Sequence, residues 1–547
     1  MHPLFHVPEL VDLICDVLRL DSLQPCHEPH VARKTLADLS RTAKLFEVPA
    51  LSALWHTQHT LSNLIKVLPS RLWVEEEFNE APGSMYSQYK LVVTRSPARG
   101  EAIRFIHYCS FIKELGIGYN PHVFIDMKSI FIHLSPYISF PYLHSLSLTS
   151  DALRYIRRLL NPNIQMLDIH GQWDRPETRA ALASIKSMCR TLGDLRIHIA
   201  MQPPALPDVD PDAQDFASFI VGLPLRHLRT KGRIADGGLQ YLSSLSHLST
   251  LEFTESAPGQ GFPSGSFSAL RELKVICTSH AFAMSLFGAM NRCPLEVLHC
   301  HSTSACNTPQ LHALLTELAR GVDPRTLTRV AFSCNHFDDE DDDDAAPRAD
   351  NIITLPIVAP LRAFPGLIHV CITSQDGCNF TDEELLTIGS WWRHAVCITL
   401  PGCNHARAPP RATLRGVMAL ARQAPDLQEL DVVFDMRDAD GALRDVRAML
   451  LRGTPHEALV MLGSMVPHKG TTLSAPVGAG PAPYADPIAH ALRLAFPRLE
   501  AVCVDDGVVG WATEEDDNDW ASLEHAYRAR WQEVNAYLAL TKAVTAT

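Results

Sequence analysis

A short pattern of apolar residues, at positions one, four and six of a six-residue phrase, recurs along most of the chain. It is clearest at residues 248–253 (Leu-Ser-Thr-Leu-Glu-Phe) and 270–275 (Leu-Arg-Glu-Leu-Lys-Val). Successive residues of a strand point to opposite sides, so positions four and six should share one buried face while three, five and seven point away from it. The pattern therefore predicts a series of short strands with one apolar face.

The same spacing fits many further segments, each with apolar residues at most of the three positions. These segments begin at Ile112, Leu143, Ile164, Leu192, Leu225, Leu295, Leu327, Leu367, Leu427 and Leu499, with a weaker match at Ala395. Neighbouring segments begin 21 to 40 residues apart as far as Leu367, and the shorter steps match a leucine-rich repeat of about 20–29 residues. Beyond Leu367 the steps between the stronger matches lengthen to 60 and 72 residues, which requires loop insertions.

Most of the intervening segments have the three- and four-residue apolar spacing of amphipathic helices. The predicted helices cover residues 151–160, 176–192, 281–291, 309–320 and 381–392. Thr381 and Glu384 form a capping box, and Thr308 is a candidate cap before Pro309. Strand, turn and helix in repetition predict an α/β solenoid, a leucine-rich-repeat horseshoe with parallel strands on its concave face. A doubly wound sheet also alternates strands and helices, but it does not require the strand pattern itself to repeat, so we favour the solenoid.

The N-terminal residues predict a small all-α domain that precedes the solenoid. Apolar spacing predicts helices at residues 7–18 and 35–46 and a third helix that begins at Pro49. This stretch resembles an F-box. The residues that carry the resemblance are Val7, Pro8, Glu9, Leu10, Ile14, Leu18, Leu36, Ala37, Leu39, Arg41, Thr42, Phe46, Pro49, Ala50, Leu51, Leu54 and Trp55.

The resemblance covers residues 5–56 and is greatest to fungal F-box proteins in which a repeat array follows. The sequence departs from the common pattern in the long link between the first two helices and in Ala43, where a cysteine is frequent. In that family the F-box holds the Skp-type adaptor of a cullin–RING (SCF-type) ubiquitin ligase and the repeats hold the substrate. The resemblance thus implies a substrate receptor with these adaptor-binding residues: Pro8, Leu10, Ile14, Leu18, Leu36, Leu39, Phe46, Leu54 and Trp55.

The same helices would also serve as a cap on the solenoid, because the ends of a repeat array need a cover. The alternative function is therefore a free-standing leucine-rich-repeat scaffold or inhibitor with a helical N-terminal cap. Binding of the Skp-type adaptor distinguishes the two functions.

Changes in composition suggest the domain boundaries. We expect an F-box-like helical domain at residues 1–68, a connector at 69–103, the repeat array at 104–510 and a C-terminal capping helix at 511–547. Within the array, an acidic insertion at 338–350 and tracts rich in proline, glycine or serine predict loops. Those tracts lie at residues 203–215, 256–266 and 476–487.

Charge and cysteine content narrow the class of protein. Two acidic runs, at 338–344 and 514–519, contribute twelve of the acids behind the net charge of −13, so the remaining chain is close to neutral and nucleic-acid binding is not indicated. Fourteen cysteines without a Cys-x-x-Cys pair are typical of reduced thiols in a cytoplasmic or nuclear protein. No apolar run approaches the length that spans a membrane, and acids interrupt the N-terminal apolar run, which argues against a signal peptide.

Catalytic motifs are absent from the sequence. No nucleophile elbow, phosphate-binding glycine loop or His-Glu-x-x-His motif occurs, so we expect a non-catalytic adaptor subunit without a cofactor. His299, Cys300 and His301 suggest zinc, but the strand frame places Cys300 in the core and therefore on the side opposite the two histidines. We expect no metal site there.

The outward-facing positions of the middle repeats are the candidate substrate face. They carry Arg196, His198, His227, Arg229, Lys231, Lys274, His299, His301 and Arg329. Cations along a groove attract an acidic or phosphorylated segment of a protein substrate. Because histidine ordinarily titrates near 6.5, we also expect mild acidification to add positive charge to this face. An ordinary solvated sheet face has the same composition, so that alternative stays open.

Overall fold

A computed structural model provides the three-dimensional structure. It describes residues 7–21, 29–78, 88–117, 123–172, 176–200, 211–255, 261–303, 307–334, 352–374, 377–401, 410–434, 444, 446–448, 459, 461–463, 492–499, 501–503, 535 and 538. The chain divides into two compact units, Met1–Leu242 and Ser243–Thr547.

Helices and strands alternate through most of the described chain. The helices are α1 (Pro8–Asp21), α2 (Pro29–Thr42), α3 (Lys44–Trp55), α4 (Ser62–Lys66), α5 (Arg99–Cys109), α6 (Met127–His133), α7 (Ser150–Leu153), α8 (Pro176–Met188), α9 (Pro211–Ile220), α10 (Asp236–Ser244), α11 (His280–Ala289), α12 (Thr308–Gly321), α13 (Leu355–Val358), α14 (Asp382–Trp391) and α15 (Leu414–Gln423). Short 3₁₀ turns occupy Ser70–Leu72, Ile156–Arg158 and Ala359–Ala363.

The strands are short, as the phrase length predicts. They are β1 (Thr57–Gln58), β2 (Trp73–Phe78), β3 (Gln88–Val93), β4 (Glu114–Ile117), β5 (Val123–Ile125), β6 (Ser145–Thr149), β7 (Met166–Gln172), β8 (Asp194–Ala200), β9 (His227–Ile234), β10 (Thr250–Glu255), β11 (Glu272–Cys277), β12 (Val297–Ser302), β13 (Arg329–Cys334), β14 (His369–Ser374), β15 (Cys397–Leu400), β16 (Glu429–Val432), β17 (Met461–Gly463) and β18 (Ala501–Cys503).

In the first unit, three helices and a parallel sheet are the main elements. Helices α1, α2 and α3 pack around a core of Val11, Cys15, Leu36, Phe46 and Ala50. Strands β1, β4, β6, β7, β8 and β9 form a parallel sheet in which neighbours follow chain order. A smaller sheet holds β2 antiparallel to β3, with β5 parallel on the other side of β3.

In the second unit, strands β10 to β18 form a parallel sheet in which each strand pairs with the next along the chain. Within each unit the strand order runs in one direction, whereas a doubly wound sheet reverses its order at a switch point. The prediction of an α/β fold with parallel strands and intervening helices is confirmed, and the doubly wound alternative is wrong for each unit.

The repeated phrase is aligned from strand to strand. In the first unit the fourth positions are Cα partners across neighbouring strands, as in Leu146, Leu167 and Leu195. In the second unit Leu273 and Leu298 pair in the same way. The first and fourth residues of the phrases from Ile112 to Leu427 are at most 2 % exposed, because all of them face the interior.

Two strands, β15 and β17, lie within the long steps of 60 and 72 residues between the stronger matches to the phrase. The weak match at Ala395 forms β15, and Ala395, Ile398 and Leu400 are all buried. Strand β17 lies inside the 72-residue step and begins two residues after buried Leu459, and its Leu462 pairs with Leu430 of β16. Strand β17 was not predicted from the sequence.

The structure corrects several predicted boundaries. Helix α2 begins at Pro29 rather than residue 35, and α3 begins at Lys44, so that Pro49 lies inside it. The predicted helix at 151–160 is a short helix followed by a 3₁₀ turn. The predicted loop at 203–215 includes the start of α9.

Caps and connections show further differences from the sequence analysis. Thr381 and Glu384 form the predicted capping box, but Asn307, not Thr308, caps α12, because Asn307 accepts the Gln310 backbone N–H at 2.9 Å. The predicted connector at 69–103 contains β2 and β3. The acidic insertion at 338–350 and the tract at 476–487 lie outside the described residues, as does the predicted C-terminal helix apart from Asn535 and buried Leu538.

The cysteine side chains of the described chain are not paired in disulfide bonds. Ten cysteines in the described chain are free thiols, and most are buried. Burial raises the pKa of the Cys109 thiol to about 12 and that of Cys189 to about 11.

Among the described helices, none is long and apolar enough to cross a membrane.

The start of α5 provides a pH-dependent prediction. Hydrogen bonds from Arg95, Arg71 and the Ala98 backbone N–H lower the pKa of the Glu101 carboxyl to about 2. Because this pKa lies below its ordinary value, the ionised carboxylate stabilises the fold above pH 4.5, and that contribution is lost as the pH falls towards 2. We expect Glu101→Gln to lower the thermal midpoint at pH 6, and the difference from the unaltered chain to shrink between pH 4.5 and 2.

Exposed Glu76, on β2, is the matched control, and Glu76→Gln should leave the midpoint nearly unchanged throughout. A deficit in Glu101→Gln that stays constant down to pH 2 would contradict the role given to the carboxylate charge.

Candidate functional site

Helix α1 is apolar on two faces, and only one of them is covered. Val11, Cys15 and Leu18 face the core shared with α2 and α3. The opposite stripe is exposed, and its members recur at the three- and four-residue spacing of one helix face: Leu13 (58 % exposed), Ile14 (42 %), Val17 (49 %) and Leu20 (51 %). We call these four residues the α1 stripe.

The residues predicted to bind the adaptor divide into three groups. Pro8 and Ile14 are exposed, and half-buried Leu10 lies beside them. Leu36 and Phe46 are buried in the helical core, and Leu18, Leu39 and Leu54 pack against it. Trp55 stacks on Tyr108 of α5, with ring centroids 4.5 Å apart. The core residues therefore hold α1 in place, while Trp55 contacts the helix that precedes β4.

Trp55 belongs to a contact that extends into the sheet. The next residue, His56, accepts backbone N–H groups of Lys113 and Glu114 at its carbonyl, at 3.0 and 2.9 Å. Thr57 then begins β1, which pairs with β4. Removing residues 1–56 would therefore damage the sheet edge as well as the helical domain, so point substitutions test the α1 stripe more cleanly.

In the first unit, the predicted substrate face is mixed in charge. Arg196 lies 3.2 Å from the Asp194 carboxylate on its own strand. Arg196 and Arg229 are Cα partners across β8 and β9, and His227 and Lys231 flank Arg229 on β9. The alternation that buries Leu228 and Thr230 leaves these cations outside the core.

In the second unit, cations and acids again share the outward face. The Lys274 ammonium lies 3.3 Å from the Glu272 carboxylate, and Lys274 pairs with His299 across β11 and β12. Arg329 is exposed and lies beside His369 of the next strand. His301, two residues after His299, is half-buried, and Cys300 between them lies in the core.

Two histidines of this face do not have the pKa expected from the sequence. Partial burial and the neighbouring cations Lys274 and Arg329 lower the pKa of His299 below its ordinary value, although Glu272 acts in the opposite direction. Burial and Arg329 also lower the pKa of His369. Mild acidification therefore adds less charge at His299 than the sequence predicted, and the same holds for the neighbouring His369.

The sheet of the first unit brings together one group that the sequence analysis missed. Asp168 and His170 of β7 lie beside His198 of β8, and the two imidazole rings stack with centroids 4.6 Å apart. The signal was present in the sequence, because Asp168 and His170 occupy the fifth and seventh positions of the phrase that begins at Ile164. The same positions of the next phrase gave Arg196 and His198.

A second group of potential ligands lies at the amino end of the same sheet. It consists of His56, Glu114 and His144, all half-buried. Here the hydrogen bonds are already made, since the Thr57 hydroxyl donates to Glu114 Oε2 at 2.9 Å and lies 3.1 Å from His56 Nδ1. His56 and Glu114 are therefore already linked through the Thr57 hydroxyl, whereas Asp168 Oδ1 has no hydrogen-bond partner.

Comparison with known proteins finds distant structural likeness but no matching family. No family model matches the chain, and no curated protein matches it. Among solved structures, the crystal structure of the Rad7 and Elc1 complex in yeast resembles it with a TM-score of 0.34 and 14 % sequence identity, over 84 % of this chain and 88 % of that chain. A likeness at this level supports no conclusion about family, fold or partner.

The face of the second unit provides a titration that tests its electrostatics. Lys274→Gln removes a cation beside His299, so the titration midpoint of His299 should rise towards its ordinary value yet stay below it, because burial is the larger cause. Glu272→Gln removes an anion, so the midpoint should fall. NMR titration of labelled histidine measures both shifts, and shifts in the same direction would contradict this description of the face.

Proposed function

We propose that the chain is the substrate receptor of a cullin–RING ubiquitin ligase. The helical domain would be an F-box that holds a Skp-type adaptor, and the parallel-sheet array would be a leucine-rich-repeat horseshoe that holds a protein substrate. The chain would supply no catalytic group itself, and it would act in the cytoplasm or nucleus.

The observation that carries the proposal is the exposed α1 stripe. A helix that packs one apolar face into its own domain and presents a second to water is suited to bind a partner. The F-box resemblance covers the same helix and includes Ile14 of the stripe, and it implies that this partner is a Skp-type adaptor. A helix that only capped the array would have no reason to be apolar on its outer side.

The stripe is large enough to matter for binding. Full burial of a leucine, isoleucine or valine side chain contributes about 1.5–3 kcal/mol. Because each stripe residue is already about half covered, a partner would add roughly 1 kcal/mol for each one, before association costs are subtracted. Four such residues form a small apolar centre of the kind that dominates many interfaces.

On the substrate side, the support is the outward face of the two sheets. Arg196, Lys274 and Arg329 show that both units present cations there, and acids accompany them. We propose that an acidic or phosphorylated segment of the substrate binds this face by displacing the local ion pairs. Exposed ion pairs are weak, so displacing them costs little.

The α1 stripe can be tested directly. The double variant Leu13→Ser, Val17→Ser removes two exposed apolar side chains and leaves the helical core of Val11, Cys15 and Leu36 intact. It should lose about 2 kcal/mol of adaptor binding, or roughly 30-fold in Kd. Calorimetry with a purified Skp-type adaptor measures this, and circular dichroism should show no loss of helix.

The matched control is Ile103→Ser, Ile132→Ser. These isoleucines are 62 % and 60 % exposed and lie on α5 and α6, outside α1 and outside the core that α1 shares with α2 and α3. The control should bind the adaptor as tightly as the unaltered chain. If the unaltered chain does not bind a Skp-type adaptor at all, the alternative of a free-standing scaffold with a helical cap is correct.

The substrate face is tested one unit at a time. We expect Arg196→Ala, Arg229→Ala, Lys231→Ala in the first unit, or Lys274→Ala, Arg329→Ala in the second, to reduce substrate capture while adaptor binding persists. Quantitative mass spectrometry of captured proteins measures the loss. The losses should shrink at higher salt, because screening weakens exposed charge contacts.

The control for the first-unit variant carries the same charge change elsewhere. Arg157, Arg158 and Arg190 are exposed and lie in the connections between strands. Replacing these three with alanine should leave capture unchanged. If the control variant lost as much substrate capture as the first-unit variant, the cause would be net charge, and recognition by the outward face would be refuted.

A further inference from the structure

Asp168, His170 and His198 converge on the outward face of the first-unit sheet. Asp168 and His170 are two residues apart on β7 and therefore point to the same side. His170 and His198 are Cα partners across β7 and β8, so their side chains are neighbours on that side. Asp168 Oδ1 lies 3.2 Å from His170 Nε2 and 3.6 Å from His198 Nε2.

Hydrogen bonding does not account for this arrangement. Asp168 Oδ1 is buried and has no hydrogen-bond partner, although two imidazole nitrogens lie close to it. Buried acceptors normally have a donor, and each exception requires an explanation. A cation bound between the three groups would supply the partner that Asp168 Oδ1 lacks.

The distances match those of ligands on one small cation. Zinc binds imidazole nitrogen and carboxylate oxygen at about 2.0–2.2 Å in a tetrahedron. Two ligands of a tetrahedron lie about 1.63 bond lengths apart, which gives roughly 3.3–3.6 Å for these bonds. The two carboxylate–imidazole separations, 3.2 and 3.6 Å, lie within about 0.1 Å of this range, and all three ligand atoms lie within 4.8 Å of one another.

The Asp168 carboxylate is not paired with the arginine on the neighbouring strand, so it can bind a metal ion. Arg196 is the Cα partner of Asp168 across the strands, yet its guanidinium pairs with Asp194 at 3.2 Å. The rest of the group is open to solvent, since the His170 and His198 side chains are 48 % and 40 % exposed, while that of Asp168 is 18 % exposed. A cation can therefore reach the site from solution.

We propose that Asp168, His170 and His198 form a site for a divalent transition-metal ion of the zinc type. Two imidazoles and one carboxylate select such an ion over calcium or magnesium, which prefer oxygen ligands. Three protein ligands leave one tetrahedral position for water or for a donor group of a bound molecule. The site stands on these residues alone and does not depend on the proposed ligase function.

Calorimetry of the untagged full-length chain with zinc chloride tests the proposal. The chain should bind zinc in a site that each of Asp168→Asn, His170→Gln and His198→Gln weakens at least about tenfold, because even loss of an outer-shell partner typically costs 10–100-fold. His144→Gln is the matched control, since it removes one histidine from the His56, Glu114 and His144 group of the same unit. That control should keep the affinity of the unaltered chain.

Cobalt(II) distinguishes the site from the chain's thiols and its other histidines. A tetrahedral site with two nitrogens and one carboxylate gives visible d–d absorption without the charge-transfer band of a thiolate ligand. This absorption should disappear in His170→Gln and persist in His144→Gln. Without metal, the thermal midpoints of the Asp168, His170 and His198 variants should match the unaltered chain within a few degrees, since these side chains lie on the outward, partly exposed face of the sheet.

Two results would overturn the proposal. One is zinc affinity that is equal in the unaltered chain and in the combined Asp168→Asn, His170→Gln, His198→Gln variant. The other is a cobalt spectrum dominated by thiolate charge transfer, which would locate binding at cysteines.

Discussion

The in-register columns of phrase residues are the constraint on which the fold depends. Across each parallel sheet, the fourth residue of one phrase is the Cα partner of the fourth residue of the next. A slip of one residue would turn that strand's buried side chains to solvent, so burial specifies the register strongly. The same register fixes which side chains face outward and which of them are neighbours. The positions of Arg196, Lys274 and the Asp168 group all follow from it.

The sequence predicted the repeated strands because burial leaves a periodic trace. It failed where that trace is incomplete. Strand β17 has Leu459 and Leu462 at the first and fourth positions, but the sixth is Ser464, so its phrase was not recognised. Helix α12 begins one residue earlier than predicted, because both Asn307 and Thr308 suit a cap and only the backbone geometry decides between them.

The sequence predicted which side chains of the candidate surfaces point outward, but not which of them form ion pairs. Alternation along a strand indicated that Arg196 and Lys274 point outward. It could not indicate that each lies against an acid two residues away, since side-chain pairing depends on rotamers and on neighbouring strands. In the helical domain, the F-box resemblance placed Leu36 and Ile14 in one group of adaptor-binding residues. The structure separates them, because a helix with apolar residues on two sides gives no sign in its sequence of which side its own domain covers.

The exposed α1 stripe should affect how much of the protein accumulates in the cell. Four solvent-facing aliphatic side chains on one helix are a site at which copies of the chain can self-associate and chaperones can bind. Unpartnered chains that expose such surface are subject to triage by chaperones and proteases. The amount of the protein that accumulates should then follow the supply of whatever covers the stripe, so that synthesis of the chain alone would not raise its steady-state level.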